Sequence, residues 1–297
     1  MQKASLINQT LRLSDGRQLG YAEYGDPDGF PVLYCHGFPA SRLEGRLTEA
    51  TANRNRIRII AADRPGYGLS DYQGLRNLSD WPNDIEQLLV RLDIQQAALL
   101  GVSGGGPFAL AVLAKLPQYI RAASLVCPLG QVCLARLLKA MRAPARFGFS
   151  SARHAPWLMH FVYGGLIGPL MRFYPVGTLA LLRVGMPSAD RLILAQPDIK
   201  EVICASITEA LSNGTRAALR DFLIYANPWD FDLTQIRQQI TIWHGSADET
   251  VPIAHSHALI ESLPNATLNI LQSEGHFSLP IKHSNRILSE LLGRCPS

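Results

Sequence analysis

Apolar residues along this chain alternate between short continuous runs and longer amphipathic stretches. The runs predict buried strands at Val32–Cys35, Arg58–Ala62, Ala97–Val102 and Ala122–Cys127. Between them, periodic patterns predict helices at Arg42–Asn53, Pro82–Leu92 and Pro107–Leu116. This alternation is typical of a mainly parallel sheet that helices cover on both faces. The fold class expected from the pattern is therefore α/β.

The ends of this pattern define the domain organisation. An N-terminal hairpin is expected from Thr10–Leu13 and Leu19–Tyr24 around a Ser-Asp-Gly-Arg turn. Residues 128–225 show helical patterns broken by Pro and Gly, without a strand pattern. Alternation then resumes with strands at Ile240–His244 and Ala266–Leu271 and helices at Ile253–Leu263 and His283–Leu292. We interpret 1–127 and 226–297 as one core domain into which a helical segment, 128–225, is inserted.

Composition and charge narrow the class of protein. The 297 residues are 47% hydrophobic, which is ample for a large core, and the net charge is +4. The segment from Gln131 to Tyr225 contains eleven Lys and Arg residues and five Asp and Glu residues, so its net charge is +6 and that of the remainder is −2. Such an excess can attract anionic substrates, lipid headgroups or nucleic acid. Because no basic run or nucleic-acid motif accompanies it, we expect a solvated basic surface and no nucleic acid partner.

Cysteines and targeting signals favour an intracellular protein without a metal. The five cysteines are scattered, odd in number and lack zinc spacing, so neither a disulfide framework nor a metal site is expected. The first residues lack the apolar segment of a signal peptide, which leads us to expect a cytoplasmic location. His154–Met171 contains no charged residue other than histidine, but Pro and Gly interrupt it. We expect an apolar lid or core segment there and no stable membrane span, with contact at a membrane interface as the alternative.

The strongest motif is Gly-Val-Ser-Gly-Gly at 101–105, a G-x-S-x-G pattern directly after the predicted strand Ala97–Val102. A strand that leads straight into a helix at Pro107 requires a tight, strained turn, which would hold the Ser103 hydroxyl at the carboxyl end of the sheet. The alternative is a phosphate-binding loop. No Lys follows the glycines and the G-x-G-x-x-G spacing is absent, which favours the nucleophile.

A serine nucleophile needs a base and an acid, and both follow in the chain order serine, acid, histidine. Asp248 comes a few residues after the strand Ile240–His244, and His276 a few residues after Leu271. Glu249 is the alternative acid. Of the other histidines, we expect His255 and His257 on a helix surface, His244 packed at a strand end and His36 stabilising a turn. Ser103, His276 and Asp248 are therefore the candidate nucleophile, general base and orienting acid.

The turn at His36-Gly37-Phe38-Pro39 also follows a buried strand. Backbone N–H groups at such a turn can bind the carbonyl oxygen that the serine attacks. We assign the amides of Phe38 and Gly104 as the oxyanion hole.

Taken together, HGFP, DRPGYGLSD, GVSGG, GSADETVP and SEGHF resemble, in content and order, the motifs of the α/β-hydrolase superfamily from about Leu19 to Leu292. The resemblance implies that 128–225 is a helical cap over the active site and that Asp63–Gly66 is a structural turn. Epoxide hydrolases and haloalkane dehalogenases share a similar HGFP turn but use an aspartate nucleophile, where this chain has Ser103. Prolyl aminopeptidase-like members usually carry an aromatic residue where this chain has Gly104.

The leading hypothesis is hydrolysis of a small-molecule carboxylic ester through an acyl-Ser103 intermediate, with no cofactor. Cleavage of an activated carbon–carbon bond, a thioester or a lactone by the same triad remains open. So does a non-catalytic member that binds an apolar ligand. We expect the substrate to carry an apolar acyl or aromatic group, and the oligomeric state stays open. Candidate pocket residues in the cap are Met141, Phe147, Phe149, Trp157, Met159, Phe161, Phe173 and Tyr174.

Overall fold

A computed structural model describes residues 6–295, which form one eight-stranded sheet with helices on both faces. The order in the sheet is β1-β2-β4-β3-β5-β6-β7-β8. Strand β2 is antiparallel to both neighbours, and β3 to β8 are all parallel, so the predicted fold class is confirmed. The strands are β1 Leu6–Arg12, β2 Gln18–Gly25, β3 Phe30–Cys35, β4 Ile57–Ala62, β5 Ala97–Val102, β6 Ile120–Val126, β7 Gln239–Gly245 and β8 Ala266–Leu271.

The central strands are buried on both faces because successive side chains point to opposite sides. Every residue of β5 is buried. Leu99 belongs to one apolar cluster with Phe108, and its neighbour Leu100 to a second cluster with Ile287. The helices outside the insertion are α1 Glu49–Arg54, α2 Trp81–Arg91, α3 Gly105–Lys115, α12 Ala254–Ser262, α13 Ser278–Lys282 and α14 Ser284–Gly293, with short 3₁₀ segments at Arg42–Thr48, Leu78–Asp80 and Leu233–Gln235.

Two helix predictions differ from the structure, and both concern segments near the candidate site. Helix α3 begins at Gly105, two residues before Pro107. The N–H groups of the first helical turn have no acceptor within the helix, so a proline in this turn loses no hydrogen bond. The stretch predicted as one helix at Arg42–Asn53 is a 3₁₀ segment followed by α1. At Gly45 this segment approaches Tyr24 closely, since a Cβ atom there would lie 3.0 Å from the tyrosine ring.

Between β6 and β7, the described chain is helical and contains no strand. The sheet then continues directly, because β7 pairs with β6. The inserted helices are α4 Ala135–Ala140, α5 Ala143–His154, α6 Pro156–Met159, α7 Gly168–Phe173, α8 Pro175–Val184, α9 Ser188–Ile193, α10 Pro197–Ala210 and α11 Arg216–Ala226, with a π-helical stretch at His160–Ile167 between α6 and α7. The first five and last two residues of the predicted core lie outside the described residues.

Membrane-spanning potential is limited to one bent pair of helices. Within residues 6–295 no single helix is both long and apolar enough to cross a bilayer. Pro156–Phe173 and Pro175–Val184 reach that length and composition only together, and they meet at an angle of 105°.

Candidate active site

Ser103 lies on a sharp turn between β5 and α3, as the strand–serine–helix pattern predicts. Its φ of +52° is in the left-handed region, which costs about 1–3 kcal/mol for a residue with a side chain. The following residue must be glycine, because a Cβ atom at Gly104 would lie 2.7 Å from the Cβ of Phe38. At Gly105 a Cβ atom would lie 2.1 Å from the carbonyl oxygen of Cys35. The turn is therefore packed tightly against the loop that follows β3.

The structure brings Ser103, His276 and Asp248 into one hydrogen-bonded chain. The Oγ of Ser103 lies 2.9 Å from Nε2 of His276, and Nδ1 of His276 lies 2.7 Å from Oδ2 of Asp248. The three side chains follow β5, β8 and β7, whose carboxyl ends meet at one edge of the sheet. This is the order nucleophile, base and orienting acid that proton transfer from a serine hydroxyl requires.

Asp248, and not Glu249, occupies the position of the acid. The second carboxylate oxygen of Asp248 accepts hydrogen bonds from the amides of Thr250 and Val251, each 2.9 Å long. Burial alone would raise the pKa of Asp248, but the adjacent His276 and these hydrogen bonds lower it below its ordinary value. Asp248 therefore stays ionised. The neighbouring Glu249 is exposed and pairs with Arg142 at 3.1 Å.

The proposed oxyanion donors lie side by side in front of Ser103. Residues Phe38 and Gly104 abut each other at this point, and within the described chain neither amide has a hydrogen-bond acceptor. Their N–H groups are thus free to bind a ligand oxygen. The hydroxyl of Tyr225 in α11 donates to the carbonyl oxygen of Gly104 at 2.8 Å and fixes this peptide. Two unpaired amides next to a serine hydroxyl suit a developing oxyanion.

Buried charged side chains hold the loop that carries Phe38. Arg64 donates to the carbonyl oxygens of His36 and Gly37 at 2.6 and 2.9 Å, and it is paired with buried Asp221 of α11 at 3.0 Å. From the other side, Glu44 accepts the Gly37 amide at 2.7 Å. The predicted structural role of the turn at Asp63–Gly66 is thus visible in its contacts with this loop.

Two cavities extend from the hydroxyl of Ser103. The first has a volume of about 450 Å³ and is lined mainly by apolar side chains, which include Leu179, Leu182, Met186, Ile203, Ile207 and Ile281. The second, of about 220 Å³, lies under α5 and the π-helical stretch; its walls include Met141, Phe147, Phe149, Met159, Val162 and Phe222. Both cavities contain Phe38 and Ser103 in their walls. A bound molecule that reaches both has its reacting bond at the serine.

Comparisons with known proteins agree with this architecture. Residues 31–151 match the family described as alpha/beta hydrolase fold. Over its whole length the chain superposes on a thermophilic esterase from Thermogutta terrifontis with a TM-score of 0.70 at 20% identity, covering 100% of both chains. A bromoperoxidase from Bacillus anthracis gives a TM-score of 0.72 at 18% identity, covering 96% of this chain and 99% of that one. The chain has the α/β-hydrolase fold.

The sequence relatives of this chain have varied names. It is 24% identical to 2-hydroxymuconate semialdehyde hydrolase of Pseudomonas putida over 87% of this chain and 84% of that protein. It is 33% identical to the non-heme chloroperoxidase of Streptomyces lividans, but that match covers only 39% of this chain and 43% of the relative. The shared sequence thus spans less than half the length of this second relative.

The surroundings of His276 adjust its basicity. Burial lowers the pKa of this imidazole, but the carboxylates of Asp248, Asp190 and Glu44 outweigh burial and raise it above its usual value of 6.5. A histidine that accepts the proton of Ser103 must be neutral, so His276 cannot act as the candidate base once the pH falls below this pKa.

We therefore expect kcat/KM to rise with pH along a single limb whose midpoint lies above 6.5. A pH–rate profile with an uncharged ester measures it, because an uncharged substrate does not itself titrate. A midpoint below 6.5 would contradict the influence of the three carboxylates on His276.

Asp190 of α9 holds the loop that carries His276, and sequence reasoning missed it. Its buried carboxylate accepts the backbone N–H groups of His276, Phe277 and Ser278 at 2.9, 3.0 and 2.8 Å. One side chain of the inserted segment thus satisfies three amides directly behind the base. The available signal was its isolation: residues 94–189 contain no Asp or Glu.

Replacement of this carboxylate tests its positioning role. Asp190→Asn leaves one acceptor oxygen for three buried donors, so we expect the free energy of unfolding to fall by about 2–3 kcal/mol. It also removes a negative charge near His276, which should move the acid limb of the pH profile to lower pH. Chemical denaturation and pH–rate profiles measure both effects. The control is Asp198→Asn, an exposed acid on α10, and a purely structural Asp190 would leave the acid limb in place.

Three other histidines, His36, His244 and His255, have structural partners. His36 accepts the Arg64 amide and bonds to the carbonyl oxygen of Gly37, as expected for a turn residue. His244 is buried between Ser256 and Val251, also as expected. The prediction for His255 is wrong: it is fully buried and accepts the Gly130 amide at 3.1 Å, because α12 packs this side inward. Burial lowers the pKa of His255 to about 4.

The described residues include one group with potential for metal binding, Cys127, Asp248 and His276, whose ligand atoms lie within 4.8 Å of one another. A metal would need the thiolate, yet burial raises the pKa of the Cys127 thiol well above its usual range. Nδ1 of His276 and Oδ2 of Asp248 are already bonded to each other. The donor set therefore fits a catalytic dyad better than a metal centre.

Proposed function

We propose that this α/β-hydrolase cleaves uncharged carboxylic esters that carry an apolar group on each side of the ester bond. The observation that carries the proposal is the meeting of two apolar cavities at the Oγ of Ser103, beside two unpaired amides. An ester is divided by its carbonyl group into an acyl part and an alcohol part. One cavity accommodates each part when the carbonyl carbon lies next to Ser103.

The proposed reaction proceeds through an acyl-enzyme. His276 takes the proton of Ser103 as Oγ attacks the carbonyl carbon, and the amides of Phe38 and Gly104 bind the resulting oxyanion. His276 then gives this proton to the alcohol as the bond to it breaks. Water, deprotonated by His276, attacks the acyl-serine, and His276 returns this proton to Oγ of Ser103 as the bond to the acyl group breaks and the acid leaves. Asp248 keeps the imidazole oriented and stabilises its charged form throughout.

The walls of the cavities favour a neutral substrate. The described lining of the second cavity has no charged side chain. In the first cavity the one arginine, Arg142, is paired with Glu249. The carboxylate of Glu44 on that wall already accepts hydrogen bonds from the Gly37 amide and the Tyr34 hydroxyl. Because no wall offers an unpaired cation, a substrate carboxylate would enter at a desolvation cost.

Cleavage of a carbon–carbon bond is the second candidate, supported by the similarity to 2-hydroxymuconate semialdehyde hydrolase over most of both chains. The same serine, histidine and oxyanion donors suit attack on a ketone. Hydrolysis of p-nitrophenyl acetate, butyrate and longer esters separates the candidates, together with fluorophosphonate labelling. Turnover with Ser103 labelled supports the esterase. Labelling without ester turnover favours cleavage of a carbon–carbon bond. The absence of both labelling and ester turnover would contradict a serine hydrolase of either kind.

Each cavity can be narrowed separately. Ile207→Trp fills part of the first and Val162→Trp part of the second, and both positions are half-buried. For esters lengthened only on the side that enters one cavity, we expect the variant that fills this cavity to lower kcat/KM by about tenfold or more. The variant that fills the other cavity should leave kcat/KM nearly unchanged, since each displaced methylene is worth about 1–3 kcal/mol. A matrix of esters with varied acyl and alcohol lengths measures this. Equal losses for both series would contradict the two-cavity assignment.

A further inference from the structure

The outer surface of the inserted helices is apolar. We call the outer cap face the side of Pro156–Phe173 and α8 that carries Trp157, Phe161, Phe173, Leu181 and Val184, each of them 66–78% exposed. The same helices bury Met159, Tyr163, Met171 and Leu179 on their other side. A helix that is apolar on both sides is ordinarily covered on both sides. Single exposed apolar residues are common, but a set of five large ones on two adjoining helices indicates an interaction surface.

Charge identifies the kind of surface that complements this face. Residues 128–189 contain seven Lys and Arg and no Asp or Glu. Arg172 stacks on Phe173 of this face at 5.0 Å, and Arg146 and Arg153 are exposed on α5, which packs against α6. The ion pairs of the described residues include none of these three arginines. Unpaired basic residues among exposed aromatic and aliphatic side chains are typical of helices that lie in the interface of an anionic bilayer.

A second copy of the chain fits this face less well. A two-fold dimer would place the same basic surface on both sides of the contact, and no carboxylate in 128–189 would neutralise it. A bilayer with anionic headgroups supplies both an apolar phase and the opposite charge.

The two cavities reach the same surface. Phe147 and Ile167 line the second cavity and are 47% and 40% exposed, and Leu182 lines the first and is 50% exposed. Residues that belong both to a cavity wall and to the outside mark where a cavity opens. An apolar molecule dissolved in a bilayer could therefore enter beneath this face without crossing water.

We propose that the outer cap face docks on bilayers that contain anionic lipid, with Pro156–Phe173 and α8 lying in the interface. The apolar side chains insert about 5–10 Å, to the level of the headgroup–acyl boundary, and the arginines contact lipid phosphates. This binding is independent of the proposed esterase activity, because it requires no turnover.

Trp157 provides a direct test, since it is exposed while Trp81, Trp229 and Trp243 are buried. The full chain is mixed with vesicles of phosphatidylcholine alone or with phosphatidylglycerol. With the anionic vesicles we expect co-sedimentation, a blue shift of tryptophan emission and quenching by brominated lipid. Trp157→Phe should lose most of the spectral change, and Ser103→Ala should bind like the unmodified protein.

Paired variants separate the apolar and charged contributions. Phe161→Ser/Phe173→Ser should weaken partitioning at least about tenfold, while the control Leu75→Ser/Val90→Ser, exposed on the core, should not. Arg146→Gln/Arg153→Gln should weaken binding to anionic vesicles about tenfold, and Arg91→Gln/Arg237→Gln should not.

Three results would overturn the proposal: no binding to either vesicle, equal binding to both, or self-association without vesicles that shields Trp157 from acrylamide. The last would assign the face to a second copy. Circular dichroism establishes that each variant is folded, and quenching of the unmodified protein tests docking without any variant.

Discussion

Ser103→Ala is expected to lower kcat by about 10⁶-fold, the loss typical when the nucleophile of a serine triad is removed. The hydroxyl that lies 2.9 Å from Nε2 of His276 is then absent, while the two amides proposed as the oxyanion hole remain. Ester hydrolysis at high enzyme concentration measures the residual rate. Ser289→Ala, an exposed serine on α14, is the matched control and should keep full activity. Substantial turnover by Ser103→Ala would show that another residue is the nucleophile.

The same position distinguishes catalysis from stability. Since Ser103 has a φ of +52°, glycine fits this conformation without the cost that alanine retains. Ser103→Gly should therefore be as inactive as Ser103→Ala but more stable by about 1 kcal/mol. If activity were lost through unfolding, the more stable Ser103→Gly would be more active than Ser103→Ala. Denaturation of both variants measures the difference in stability.

Asp248→Asn is expected to lower kcat by about 10⁴-fold with little change in substrate binding. The amides of Thr250 and Val251 would hold the asparagine oxygen, so its NH₂ group would face Nδ1 of His276. Nδ1 must then accept, the proton moves to Nε2, and Nε2 no longer accepts the proton of Ser103. Steady-state kinetics measure the loss.

Glu249→Gln is the control for this substitution, because it changes the adjacent carboxylate, which is exposed. We expect activity within about twofold of the unmodified protein. The reverse pattern, with Glu249→Gln inactive and Asp248→Asn active, would reassign the acid.

The sheet and the placement of Ser103, Asp248 and His276 follow from local features of the sequence. Strands such as Ala97–Val102 are continuous apolar runs because both their faces are buried. Parallel strands end at one edge, so residues just after three of them come together. The positions of the strands and the G-x-S-x-G motif were therefore enough to predict that these three residues lie together.

Contacts between the inserted helices and the core could not be predicted in the same way. Asp190 bonds to amides 86–88 positions away, and Asp221 to Arg64 at a separation of 157. No local period encodes such distances, since they depend on how α9 and α11 pack on the core. His255 looked like a surface residue for the same reason.

The aromatic residues of the insertion illustrate this limit. Of the eight expected to line a pocket, Met141, Phe147, Phe149 and Met159 line the second cavity, whereas Trp157, Phe161, Phe173 and Tyr174 face outward. Trp157 and Met159 lie on the same short helix, α6, yet belong to different groups. Only the helix rotation, set by packing, separates a substrate wall from an external surface.

The central claim is that Ser103 becomes acylated during ester hydrolysis. Rapid acid quench after mixing with p-nitrophenyl acetate, followed by peptide mass spectrometry, measures this directly. We predict an acetyl group on the peptide that contains Ser103, accumulated within the burst of p-nitrophenol and absent from Ser103→Ala. Hydrolysis without any adduct on this peptide, or the same adduct in Ser103→Ala, would contradict the account.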